Sequence, residues 1–179
     1  MKKLIFLFLA VSFCAGAHGQ VVNTSHQTQS GEKVLRFEFM IPLSKQEAWN
    51  LFTTDKELEK WIAPKAHIEL KNGGYILTNY NKDKSLADTS SIRLGIINYL
   101  EGQLLTLKVE LNNHFSKKLQ EEDVNLQELI QFEEVEPGKT KIVSSMIGWG
   151  NGDDWKKTYN FFEKGNEWSY KELLKLFNN

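Results

Sequence analysis

At 179 residues, 41% of them hydrophobic, the chain is long enough for one domain with a real core and short for two. Its 22 basic and 23 acidic residues nearly cancel, only Arg36 and Arg93 are arginines, and no basic run exceeds two residues. The clustered phosphate contacts of a nucleic-acid binder are therefore missing, and nucleic acid is not expected as a partner.

Residues 1–19 read as a secretory signal peptide: Lys2-Lys3, an apolar run from Leu4 to Phe13 too short to span a bilayer stably, then the small residues Ala15, Gly16, Ala17 and Gly19. Cleavage after Gly19 leaves Gln20 as the new N-terminus, with cleavage after Ala17 the nearest alternative. The expected location is periplasmic or secreted, with no stable membrane span once the signal is removed. Cys14 has Val11 and Ser12 before it, as a lipoprotein acceptor would, but Phe13 is too bulky for the adjoining position, so lipidation is not expected. The mature chain then has no cysteine, which excludes disulfides and thiol catalysis, and it carries 20 basic against 23 acidic residues.

Residues 20–32 are polar and unpatterned, and are read as a flexible leader with no fold of its own; the domain is expected over 33–179. Leu35, Phe37, Phe39 and Ile41 alternate with Arg36, Glu38 and Met40, the period of a strand with one buried face, closed by Pro42. Ser44 and Glu47 have the spacing of a reciprocal capping box and open a helix carrying Ala48, Trp49, Leu51 and Phe52. Thr54 and Glu57 repeat the signal for a second short helix with Leu58, Trp61 and Ile62, ending before Pro64.

Ala66, Ile68 and Leu70 alternate up to a turn at Asn72-Gly73-Gly74, after which Tyr75, Leu77 and Asn79 share one face of a hairpin partner. Further strands follow around Ile92–Ile96, Leu105–Leu111, Leu126–Val135 and Thr140–Trp149, with an irregular connection at 112–125. Gly148, Gly150 and Gly152 allow a corner, and Asp153 is placed to cap one long helix to Phe177, with Gly165 a point where it can bend. The order is strand, two short helices, six strands and a long helix. An α+β architecture is expected, a curved antiparallel sheet of about seven strands wrapped around the C-terminal helix, because only that helix is long and apolar enough to cover it.

No cluster specifies chemistry. Gly138-Lys139-Thr140 lacks the earlier glycine of a phosphate loop, Glu133 standing there, and reads as a hairpin turn. The histidines outside the signal, His26, His67 and His114, have no metal-ligand spacing. His67 and Glu69 share a strand face opposite Ala66 and Ile68, on the solvent side, or as an acid/base pair if that face were reversed. Ser144 and Ser145 put one hydroxyl on each face of the last strand, the inward one read as a structural serine bonded back to backbone. Trp49 is read as core. Trp155, Tyr159 and Phe162 share the helix face toward the sheet, where they are either core or cavity wall. No catalytic residue, metal ligand or cofactor is assigned.

The run Pro42-Leu43-Ser44 through Ala48-Trp49-Asn50-Leu51-Phe52-Thr53-Thr54, then Leu58 and Trp61-Ile62-Ala63-Pro64, resembles the helix-grip superfamily. That group takes in START-type lipid-transfer domains, plant pathogenesis-related allergens and polyketide cyclases. Within it the nearest likeness is to bacterial homologues of the activator of heat-shock-protein-90 ATPase, over about residues 33–177, and the Gly73-Gly74 hairpin, Gly148-Trp149 and Trp155 fit it. The resemblance implies the helix-grip fold, with a deep, mostly apolar cavity between sheet and C-terminal helix; members bind lipids, hormones or polyketides, or serve as chaperone cofactors. Export argues against meeting a cytosolic chaperone. The expectation is an exported protein holding a small apolar ligand, a lipid or aromatic metabolite, with Trp61, Tyr75, Met146, Trp149, Trp155, Tyr159 and Phe162 as the wall. Within the helix, residues before Gly165 are expected to face the cavity and those after it to be core. The alternatives are a cyclase- or hydrolase-type enzyme using His67 or Glu69 in the same cavity, and an interaction or co-chaperone-like module without ligand.

Overall fold

Residues 19–123 and 125–178 are described by a computed structural model. Apart from Gly19, the signal peptide and Cys14 lie outside the described residues. Strand alternation produces the expected frame: β3 (Lys33–Ile41) turns Leu35, Phe37, Phe39 and Ile41 inward, each 3% exposed or less. At its end Ser44 and Glu47 form the reciprocal capping box and start α1 (Lys45–Thr53). The second cap does not form. Thr54 precedes α2 (Asp55–Leu58), but its hydroxyl donates back to the Asn50 carbonyl, closing α1 rather than opening α2.

Six strands then follow: β4 (Lys65–Glu69), β5 (Tyr75–Asn79), β6 (Ile92–Leu100), β7 (Leu104–Val109), β8 (Gln127–Glu136) and β9 (Lys139–Ile147). Each pairs antiparallel with the next, and β3 closes the arrangement by pairing with β9, Phe37 opposite Ser144. The long helix α4 (Asp153–Lys175) lies on the inward face. This is the α+β helix-grip arrangement, with nine strands in an antiparallel sheet among the described residues and a C-terminal helix.

Two of the nine come from the segment expected to have no fold of its own. β1 (Val22–Asn23) pairs with Glu38 and Phe37, and β2 (His26–Gln27) pairs with Val34 and Lys33. Val21 reaches the core, and Asn23 donates to Glu163 of α4 at 2.9 Å. A polar segment without internal pattern is thus ordered by the free edge of β3, whose unpaired backbone groups it satisfies.

The irregular connection also contains a helix, α3 (Lys117–Glu122), capped by Ser116 and anchored by Leu119, 6% exposed. The last strand ends at Ile147, two residues earlier than expected, because Gly148 turns the chain with φ 83° and passes so close to the Asn125 carbonyl that a Cβ would lie 2.0 Å from it. The cap of α4 is Gly152 rather than Asp153, which sits in the first turn with Asp154, where both charges complement the helix dipole. No helix among the described residues is long and apolar enough to cross a membrane.

Candidate functional site

The inward faces of sheet and helix meet at one end and part at the other. Around α1 the space is filled by rings: Trp49 and Phe52 each lie 5.3 Å from Phe132, edge to face, and Trp61 lies 5.0 Å from Phe52, its indole donating to the Leu51 carbonyl. Tyr170 of α4 lies 4.9 Å from Phe39. Toward β5, β6 and β7 the strands present the aliphatic Ile76, Leu94, Leu105 and Leu107, and α4 presents Gly165, Asn166 and Ser169. A Cβ on Gly165 would have no neighbour within 4 Å.

An inner chamber of about 390 Å³ remains between them. It shares Tyr80, Ile92, Leu94, Val109, Phe161 and Phe162 with an outer chamber of about 670 Å³, which runs beneath the 80–91 connection and α3. Phe161 and Trp168, 60% and 53% exposed, border the cavity from α4. Apolar side chains predominate in the inner wall, which suits apolar ligands, and the two volumes fall in the range of small-molecule sites.

Among the described residues, one charged side chain stands in the inner wall. Glu128 of β8, 9% exposed, accepts at Oε1 from the Ser144 hydroxyl at 2.7 Å and from the Tyr170 hydroxyl at 2.6 Å. Burial, and then the adjacent Glu128 carboxylate, pushes the Tyr170 hydroxyl well above the usual tyrosine range, so it stays protonated and keeps donating. Desolvation of its hydroxyl raises Tyr80 above the usual tyrosine range, against a hydrogen bond with Ser169 that lowers it and with a smaller rise from Glu128, although the residue as a whole is half exposed.

Of the seven residues expected in the wall, Trp61, Met146 and Phe162 line the inner chamber. Tyr75 does not: it faces outward beside His67, ring centroids 6.1 Å apart, with the Arg93 guanidinium 4.9 Å over its ring. The hairpin sets this parity, since Glu69 pairs with Tyr75 while the inward Ile68 pairs with Ile76. Trp155 is 3% exposed and belongs to the core, its indole donating to Glu122 of α3 at 3.0 Å; a Cβ on Gly150 would lie 2.2 Å from that ring. Trp149 and Tyr159 pack on each other at 4.9 Å, behind Phe162 rather than in the wall. Along α4 the wall therefore runs from Phe161 to Tyr170, across Gly165 instead of ending before it.

His67 and Glu69 lie outside the cavity, His67 2.9 Å from Asp55 and Glu69 2.5 Å from Lys71, so an acid/base role within the cavity is not available to them. Ser144 does point inward, but its partner is Glu128 and not backbone. Glu128 is not among the residues expected in the wall. Its signal is there: Leu126, Glu128, Ile130 and Phe132 alternate, and a carboxylate occupies the second inward position.

Comparison with known proteins agrees with this fold. Among solved structures, a Mesorhizobium loti protein, MLL2253, superposes with a TM-score of 0.62 at 15% identity, over 81% of this chain and 96% of that one. The Aha1 dimer from Colwellia psychrerythraea superposes with 0.58 at 16% identity, over 80% and 92%. EF2215, a protein of unknown function from Enterococcus faecalis, gives 0.50 at 18% identity, over 70% of this chain, which spans 60% of that one. At these identities the likeness is one of fold. Among curated proteins no match to the chain is found. The family model for Activator of Hsp90 ATPase homolog 1-like protein matches residues 42–178, from the turn after β3 to the end of the described C-terminus. The chain therefore belongs to the Activator of Hsp90 ATPase homolog 1-like family.

Proposed function

We propose that this protein is an exported binding protein that holds a small, mostly apolar ligand, a lipid or aromatic metabolite, between its sheet and α4. Its fold is one that often binds ligands or acts as a co-chaperone. The observation that carries the binding reading is the inner chamber, about 390 Å³ between two elements that are otherwise packed ring on ring. Interiors are normally filled to the density of organic crystals, and a space this large, apolar and opening into a second chamber suits a guest. Export rests on the N-terminal pattern of Lys2-Lys3, apolar run and small residues.

Native mass spectrometry of the protein purified from its own envelope, followed by a thermal-shift screen of lipids and aromatics, tests the reading. A ligand at about one hundred times its Kd should stabilise the fold by about 2.7 kcal/mol. Absence of any co-purifying mass and of any melting shift would overturn it, and turnover of a bound compound would redirect it to an enzyme. N-terminal sequencing of the envelope protein should begin at Gln20; recovery of Met1 in the cytosolic fraction would overturn export.

A further inference from the structure

Glu128 is more than nine-tenths buried, and only half of its carboxylate is used by the protein. Oε1 takes both hydroxyl donors, from Ser144 and Tyr170. Oε2 makes no hydrogen bond among the described residues, and no fully enclosed side-chain oxygen or nitrogen is left unpartnered there, so Oε2 keeps contact with the space of the inner chamber that Glu128 lines. No salt bridge among the described residues reaches Glu128. A buried carboxylate without a cation is costly, and two strong hydrogen bonds at one oxygen compensate it only in part.

We propose that the ligand is an amphiphile whose inner end is a protonated amine, received by Glu128 Oε2, with its apolar body along Ile76, Leu94, Leu107 and Phe162. This rests on the binding function proposed above and names the class of ligand. An ammonium supplies both what the site lacks, a positive charge, and what Oε2 can accept, an N–H donor. Its remaining N–H groups have oxygens to meet, since Thr78, Tyr80 and Ser169 line the same chamber. A neutral alcohol supplies the hydrogen bond without the charge. A carboxylate head brings a second negative charge against Glu128 in a low-dielectric setting and is repelled, which sets the site against free fatty acids.

The test keeps one skeleton and changes the head. Binding of 4-phenylbutylamine, 4-phenylbutanol and 4-phenylbutyrate is measured by calorimetry at pH 7, with the wild-type protein and with Glu128→Gln, which keeps an acceptor for Ser144 and Tyr170. Wild type should bind the amine about tenfold or more tighter than the alcohol, as a charge-assisted hydrogen bond predicts, and the carboxylate most weakly. Glu128→Gln removes the charge and presents an amide NH2 in place of Oε2, so it should erase the preference for the amine and bring its affinity to or below that of the alcohol. The wild-type order decides the head group even where Glu128→Gln fails to fold. Alcohol binding as tightly as amine, or neutral compounds of the screen binding while the amine does not, overturns the assignment to amines and leaves the binding function standing. Failure of all three heads together with an empty thermal-shift screen removes both.

Discussion

Around Tyr170, where α4 meets β3, the space under the sheet is taken up by Phe37, Phe39, Trp49, Phe52 and Phe132; around Gly165, less than two turns earlier in the same helix, it is open. Both regions are built on strands with the same inward and outward alternation, and both are covered by the same helix. The difference lies in side-chain volume. Aromatic rings from α1, β3 and β8 interdigitate at the filled end, while aliphatic residues of β5 to β7 face a helix segment carrying Gly165, Asn166 and Ser169 at the open end. Apolarity alone thus does not make a core; the facing residues must also be large enough to meet.

The comparison breaks most visibly at its filled end. Trp49→Ala removes a fully enclosed ring packed against Phe132 and should cost about 3–5 kcal/mol, read from urea unfolding. Phe161→Ala at the open end, where the ring is 60% exposed, should cost no more than about 0.5 kcal/mol and weaken ligand binding instead. Equal losses from the two would mean that the open end is ordinary core.

A second substitution should move stability and binding in opposite directions. Gly165→Leu places a side chain in the space above Leu94 and Leu107 and replaces glycine in a helix interior, so unfolding should become harder by about 0.5–1 kcal/mol. The same variant should lose the thermal shift given by ligands of the wild-type protein. Retained binding with unchanged affinity would show that ligands sit in the outer chamber alone.

The smallest effect concerns the connection that flanks the outer chamber. Asp88 accepts from the Ser90 hydroxyl and amide and from Lys84, which holds its carboxyl at about 2. A carboxyl depressed in the folded state contributes order that is fully present above the ordinary aspartate range and is lost as pH falls through about 2. Protection of the amides of residues 81–91, taken as exchange relative to the intrinsic rate at each pH, should therefore fall as the pH is lowered from about 4 toward 2, and Asp88→Asn should show the lower protection already at neutral pH, with global stability unchanged. An exchange profile that ignores both changes would show that the connection is held by its backbone turns alone.

Much of the fold was legible because its signals are local. The alternation of β3, the capping box at Ser44 and Glu47 and the Gly73-Gly74 hairpin each act within a few residues, and each forms as read. The pairing of residues 22–27 with β3 was not legible, because its driving force is the free edge of another strand and not a pattern of its own. The wall of the cavity was legible in smaller part: of the seven residues expected there Trp61, Met146 and Phe162 line it, while Trp155 has an apolar helical position and a partner, Glu122 on α3, that no spacing announces.

By itself, then, the sequence determined the order of elements, the inward faces of most strands and the family to which the chain belongs, since these follow from periods of two and 3.6 and from short capping and turn motifs. Only the tertiary structure decided which apolar faces touch and which stay apart, that Tyr75 turns outward with Glu69, and that Ser144 and Tyr170, 26 positions apart in the chain, converge on one oxygen of Glu128. Those outcomes depend on side-chain volumes and partners brought together across the sheet, and neither is encoded in any single stretch of residues.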